Sequence, residues 1–167
     1  NGKLRSTSPI GNGYRLPTEA EWAWVARYNA GGGERKYPWG EGMPPPKDSG
    51  NYADASALDV ASNTIGSYND SYPVTAPAGT FPPNPIGIYD LGGNVAEWVT
   101  DLYSVSTGSG ATLIDPVGPT DGQYHVIRGS SWRQSSISEL RLTYRDFGDR
   151  GRLDVGFRIA RYAVQPE

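Results

Sequence analysis

No regular element can run through Gly92-Gly93-Asn94, a glycine pair followed by a residue that tolerates the left-handed region. The stretch from Gly87 to Leu91 before this break reads as a short apolar strand. After the break, polar and apolar positions alternate through Glu97, Trp98, Val99, Thr100 and Asp101, which is the period of a half-buried strand. Two carboxylates, Asp90 and Glu97, therefore flank a turn whose carbonyls are free to point inward. Oxygen-only surroundings of this kind suit a hard cation.

The rest of the chain is punctuated in the same way. With 22 Gly and 14 Pro in 167 residues, a helical bundle is excluded and a single loop-rich domain is expected. Bulk comes from five Trp and 11 Tyr against three Phe, and these side chains carry polar tips suited to an irregular interior or a binding groove.

Cysteine is absent, so no disulfide, thiolate metal site or cysteine nucleophile can come from this chain. The single histidine, His125, excludes any site built on two histidines and reads as a surface or strand residue. Charge is uneven: residues 1–127 hold seven Lys/Arg against 13 Asp/Glu, whereas residues 128–167 hold eight Arg against five acids. Such asymmetry suits an anionic partner, but it equally suits late arginines pairing with early carboxylates inside one domain, which is the reading adopted. Nucleic-acid binding is not expected. No run has the length of a membrane span and no signal peptide is visible. Because Asn1 stands first and a turn-rich segment from Ser6 to Gly13 leads straight into a helix, the chain is expected to start in mid-protein.

Taken in order, Pro17-Thr18-Glu19-Ala20-Glu21-Trp22 is the clearest helix start, with Thr18 and Glu21 spaced as a capping box. Trp22, Val25, Ala26 and Asn29 fall on one stripe, and Gly31-Gly32-Gly33 supplies the stop. Tyr37-Pro38-Trp39-Gly40 reads as an aromatic turn. Asn51-Tyr52-Ala53-Asp54 and Asn69-Asp70-Ser71-Tyr72 are polar clusters in a long loop, tied down either by cations or by Asx-turns. A Ser/Thr/Gly-rich loop runs to Gly110, and His125 to Gly129 reads as a short strand. Leu140, Leu142 and Tyr144, then Val155, Phe157 and Ile159, alternate on either side of Asp149-Arg150-Gly151, which predicts an antiparallel closing pair. The coarse class is α+β.

Six segments occur in the order found in the formylglycine-generating enzyme (sulfatase-modifying factor) family, and the chain resembles that family from about Tyr14 to Arg161. They are Tyr14 to Trp22, Tyr37 to Gly40, Thr75 to Asn84, Gly93 to Trp98, Arg128 to Trp132, and Gly156-Phe157-Arg158. The resemblance implies a single C-type-lectin-like domain of α+β class with little regular structure, here without its N-terminal strands and first helix. It implies two calcium ions. The first would take the Asn51 side chain, Tyr52 carbonyl, Asp70 side chain and Tyr72 carbonyl. The second would take the Asp90 side chain, the Gly93 and Val95 carbonyls and the Glu97 side chain. A turn-stabilising hydrogen-bond network in place of either ion remains open.

Activity does not follow from the resemblance. The family's enzyme oxidises a substrate cysteine through a copper-binding cysteine pair, and the resemblance places the corresponding positions at approximately Gln134 and Glu139. Neither offers the soft thiolate that Cu(I) requires, and Ser131 matches the family serine without a thiol partner. Expected instead is a non-catalytic, calcium-stabilised binding or scaffolding module in a larger extracytoplasmic assembly, periplasmic or at the cell surface. Its partner is a protein or the missing N-terminal segment. The partner surface is expected around Trp132, Arg133, Gln134, Tyr144 and Arg150. Two alternatives stand beside it. One is an enzyme of the family, of non-haem iron or oxidase type, whose metal ligands lie outside this chain. The other is a ligand-binding receptor of the retroelement-diversified kind.

Overall fold

The computed structural model describes residues 13–28, 33–105 and 113–162. Helix α1 (Glu19–Arg27) starts as its sequence dictates. The Thr18 hydroxyl accepts from the Glu21 amide at 3.1 Å and the Glu21 carboxylate accepts from the Thr18 amide at 2.8 Å. Glu19 and Glu21 lie in the first turn and Arg27 in the last, each at the end the helix dipole favours. Trp22 and Ala26 are buried, and Val25 packs against the same core. The helix stops at Tyr28, short of the glycines; Asn29, Gly31 and Gly32 lie outside the described residues, as do Ser6 to Asn12 and the loop centred on Gly110.

The helix packs on a four-stranded sheet of β1 (Ala96–Leu102), β2 (His125–Arg128), β3 (Arg145–Gly148) and β4 (Val155–Phe157), in the order β3-β2-β1-β4. β1 and β2 are antiparallel, with Glu97 opposite Arg128 and Trp98 opposite Ile127. β2 and β3 are also antiparallel, whereas β4 lies parallel to β1, with Glu97 opposite Gly156. The alternation of β1 is as expected, but its inward face is Glu97, Val99 and Asp101. Two carboxylates therefore point inward, and α1 answers both. The Trp22 indole donates to Glu97 at 2.7 Å, and the Glu19 amide donates to Asp101 at 2.6 Å. Burial pushes the Asp101 carboxyl above its usual range.

Two expected elements differ. Gly87 to Leu91 is irregular, because Gly87 and Asp90 both sit in the left-handed region and Asn84 Oδ1 draws in the amides of Ile86 and Ile88. The closing antiparallel pair does not form: β3 and β4 lie at opposite edges of the sheet. Residues 140–144 form turns, and Leu140 and Leu142 are buried by them rather than by a strand. Arg152 bridges Asp146 at 2.7 Å and Asp154 at 3.4 Å across the connection, while β4 takes its pairing from β1.

The core has two centres. Trp22, Ala26, Leu91, Val99, Val126 and Leu142 form one under the helix. Tyr37, Tyr52, Tyr68 and Leu140 form the other under the loops. The aromatic turn stacks Tyr37 on Trp39 at 5.0 Å, and Trp39 meets Tyr52 edge-on. Two of the buried phenols have carbonyl partners: Tyr52 donates to Gly92 at 3.0 Å and Tyr68 to Gly50 at 2.7 Å. Late arginines do pair with early carboxylates, Arg145 and Arg128 with Glu19 and Arg158 with Glu97. No helix among the described residues is long and apolar enough to cross a membrane.

Candidate metal centre

The first oxygen set is drawn together in the buried loop. Asn51 is fully buried; its amide nitrogen donates to the Val74 carbonyl at 2.7 Å, while its Oδ1 is buried without a hydrogen-bond partner among the described residues. Asp70 accepts from the Tyr52 amide at 2.9 Å and from the Tyr72 amide at 2.7 Å. Among the described residues, no hydrogen bond reaches the carbonyls of Tyr52 and Tyr72. Asp54, not singled out from the sequence, accepts from the Asp70 amide. Burial pushes the Asp70 carboxyl up to about 6, against the pull of its two amide donors, and the neighbouring Asp54 adds to the rise.

An orphaned buried acceptor costs about 1–3 kcal/mol. Calcium takes amide, carboxylate and carbonyl oxygens together, so Asn51, Tyr52, Asp70 and Tyr72 fit it and the ion would satisfy the orphan. Among the described residues no three His, Cys, Asp or Glu side chains converge, so any cation here depends on such mixed donors.

The second set carries a charge the sequence reading did not assign. Arg158 forks Glu97, Nε to Oε2 and Nη2 to Oε1, both at 2.6 Å, and also reaches the Tyr89 and Asp90 carbonyls at 3.1 and 3.3 Å. With the Trp22 indole on Oε2 as well, most acceptor positions of Glu97 are filled. Asp90 accepts from the Gly79 amide at 2.8 Å. This is the hydrogen-bond network left open beside the ion, and the set fits calcium less well than the first. The two loops are joined through Asn51, whose carbonyl accepts from the Asn94 amide at 2.8 Å. Gly93 lies against them at φ 94°, where a Cβ would fall 2.8 Å from the Asn51 carbonyl oxygen.

Gln134 accepts from the Ser131 amide at 2.8 Å, and Glu139 accepts from Ser136. Ser131 is buried and its hydroxyl donates to Asp154 at 3.1 Å. The residues of the expected partner surface differ in exposure. Trp132 and Gln134 are only 7% and 9% exposed, because the Trp132 amide is drawn to the Asn94 carbonyl and Gln134 closes the Ser131 turn. Arg133 and Arg150 remain exposed, with Tyr144 half-buried near Asp146 and Glu139, and burial raises its hydroxyl above the usual range.

The family described as sulfatase-modifying factor enzyme 1-like domain matches residues 2–163. A formylglycine-generating enzyme from Thermomonospora curvata is 36% identical over 158 residues, which take in 89% of this chain and 49% of that protein. The inactive Cα-formylglycine-generating enzyme 2 of Bos taurus is 32% identical over 161 residues, covering 92% of this chain and 46% of that one. The solved structure of PvdO from Pseudomonas aeruginosa aligns with a TM-score of 0.68 at 31% identity, over 93% of this chain and 55% of that one. The chain thus spans about half the length of the relatives it matches.

Proposed function

This chain belongs to the sulfatase-modifying factor enzyme 1-like family and has its α+β, formylglycine-generating-enzyme-type fold, and on that footing we propose that it is a non-catalytic, calcium-stabilised binding module of a larger extracytoplasmic assembly. The observation that carries this reading is the orphaned, buried Oδ1 of Asn51, one residue before Tyr52, whose amide donates to the Asp70 carboxylate. Calcium at Asn51, Tyr52, Asp70 and Tyr72 would supply fixed positive charge and hold the loop, and nothing in that role requires turnover. The reading against catalysis rests on the absence of cysteine from this sequence and on Gln134 and Glu139, the approximate counterparts that the family resemblance gives for the oxidase's thiols. Arg133, Tyr144 and Arg150 supply the partner-facing side chains, an aromatic and two guanidinium groups of the type enriched at interfaces.

Metal analysis of the native protein, joined to thermal unfolding with and without a calcium chelator, tests this. Stoichiometric calcium and a lower melting temperature on chelation support it. Stoichiometric iron or copper would favour an enzyme instead, and an unchanged melting temperature on chelation would sink the calcium role.

A further inference from the structure

Helix α1 buries Trp22 and Ala26 and turns Trp24 the other way, where 62% of its surface meets solvent. Burying so large an apolar side chain would stabilise the fold, yet Trp24 belongs to neither core centre. One helical turn on, Tyr28 brings its ring to 5.2 Å from the indole, with the two planes inclined at 45°. The chain then comes back alongside the helix: the Arg35 amide donates to the Arg27 carbonyl at 3.3 Å, which sets Gly33 and Glu34 against the last turn. Between the two segments lies an open shelf of about 350 Å³, lined by Ala23, Trp24, Arg27, Tyr28, Gly33 and Glu34. No atom stands within 4 Å of the place a Cβ on Gly33 would take, so the shelf is clear on that side.

Charge decides the chemistry of the ligand. Arg27 and Glu34 are the charged residues of the lining and they pair with each other, so the shelf carries no net charge. Neither an anion nor a cation gains from it. A purely apolar chain laid there would strip water from that ion pair and return no hydrogen bond. A neutral pyranose meets both demands. The C–H groups on its ring face lie against the indole, and its hydroxyls exchange hydrogen bonds with the guanidinium and the carboxylate. The volume, at the small end for a ligand site, suits a short saccharide. We propose that Trp24 and Tyr28 form a binding shelf for a neutral oligosaccharide of β-linked, equatorially substituted pyranose units, with Trp24 as the stacking platform and the Arg27–Glu34 pair as its polar edge. The shelf uses neither the calcium ligands nor Arg133, Tyr144 and Arg150, so it stands or falls apart from the calcium reading.

Isothermal titration of the native protein with cellotetraose and with the β-linked tetramer of N-acetylglucosamine, both in the presence of a calcium chelator, is the test. At least one should bind with a dissociation constant of about 1 mM or tighter. Trp24→Ala should weaken that binding about tenfold or more. Its melting temperature should not move, because Trp24 lies outside the core and alanine favours the helix. Trp24→Tyr, which keeps an aromatic face, should restore part of the affinity. Binding of neither sugar at about 10 mM would overturn the proposal, as would equal binding by Trp24→Ala. Equally tight binding of a sulfated heparin tetrasaccharide would overturn the neutral specificity. A Trp24-dependent dimer in sedimentation, without sugar binding, would give the shelf to a second copy of the chain and overturn the proposal as well.

Discussion

Arg158 meets Glu97 in a two-pronged ion pair, both contacts 2.6 Å long, across 61 residues of chain. The pair joins β4 to β1, and through the Trp22 indole it joins both to α1. The Glu97 side chain is 6% exposed, so its charge depends on these donors.

Removing one member of a buried pair leaves the other uncompensated, which costs about 3–5 kcal/mol. Glu97→Ala should therefore destabilise the fold by about 3 kcal/mol in urea unfolding, the low end because Arg158 is partly solvated. The response to calcium should survive in this variant, since the first oxygen set does not use Glu97. A variant that lost the calcium response would move the ion to the second set.

Asn51→Ala should abolish that response. A site filled at a hundred times its dissociation constant stabilises the fold by about 2.7 kcal/mol, a shift of several degrees in melting temperature. In the absence of calcium the substitution removes an unsatisfied acceptor together with the bond to Val74, so its cost should be much smaller. Calcium titrations followed by thermal unfolding of the two proteins check both points.

Asp70 predicts a pH dependence with a definite sign. Its folded value of about 6 lies above that of an exposed aspartate, so the protonated form stabilises the fold. That contribution is complete below about pH 4 and is lost as pH rises through about 6. Asp101, raised by burial, acts in the same direction, whereas Glu21, lowered by its hydrogen bond from Arg15, acts oppositely at the acid end. Metal-free protein should show falling urea midpoints between about pH 4 and 6. Saturating calcium, which binds the ionised carboxylate, should flatten the decline.

Gly93→Ala should be among the most damaging single-methyl additions. Its φ of 94° is strained for any side chain, and the added carbon would meet the Asn51 carbonyl oxygen at 2.8 Å. A loss of about 3 kcal/mol is expected from strain alone, with weaker calcium binding because Asn51 moves. An unchanged unfolding midpoint would contradict the close approach.

Thr18→Ala should cost about 1 kcal/mol, the usual worth of a helix N-cap, without altering calcium affinity. Its value is as a control for stability changes that do not pass through the loops.

What the sequence made legible follows from how far apart the interacting residues are. The capping box of Thr18 and Glu21 spans three residues, and the aromatic turn from Tyr37 to Gly40 is equally local, so both were readable. The order of six motifs identified the family because order survives where spacing does not. The Glu97–Arg158 pair was hidden by its 61-residue separation, although both residues lie in those motifs. Asp149-Arg150-Gly151 carried true turn chemistry and still misled, since β4 takes its register from β1 and not from β3. Trp132 and Gln134 looked like surface groups because nothing local announces that Asn94 and Ser131 draw them inward. Asp54 stood inside a quoted cluster, but its role at the Asp70 amide depends on a fold that brings the two loops together.

The parallel seat of β4 beside β1 also has a consequence for how the molecule is made. A ribosome delivers Glu97 well before Arg158, so during that interval the emerging sheet holds a carboxylate whose guanidinium does not yet exist. β1 and β2 can pair in the meantime, but the inward face of β1 cannot close over Glu97 without cost. Consolidation of the sheet should therefore wait for β4 to emerge, and a nascent chain stalled before Arg158 should remain sensitive to protease around β1 while one stalled well beyond it resists.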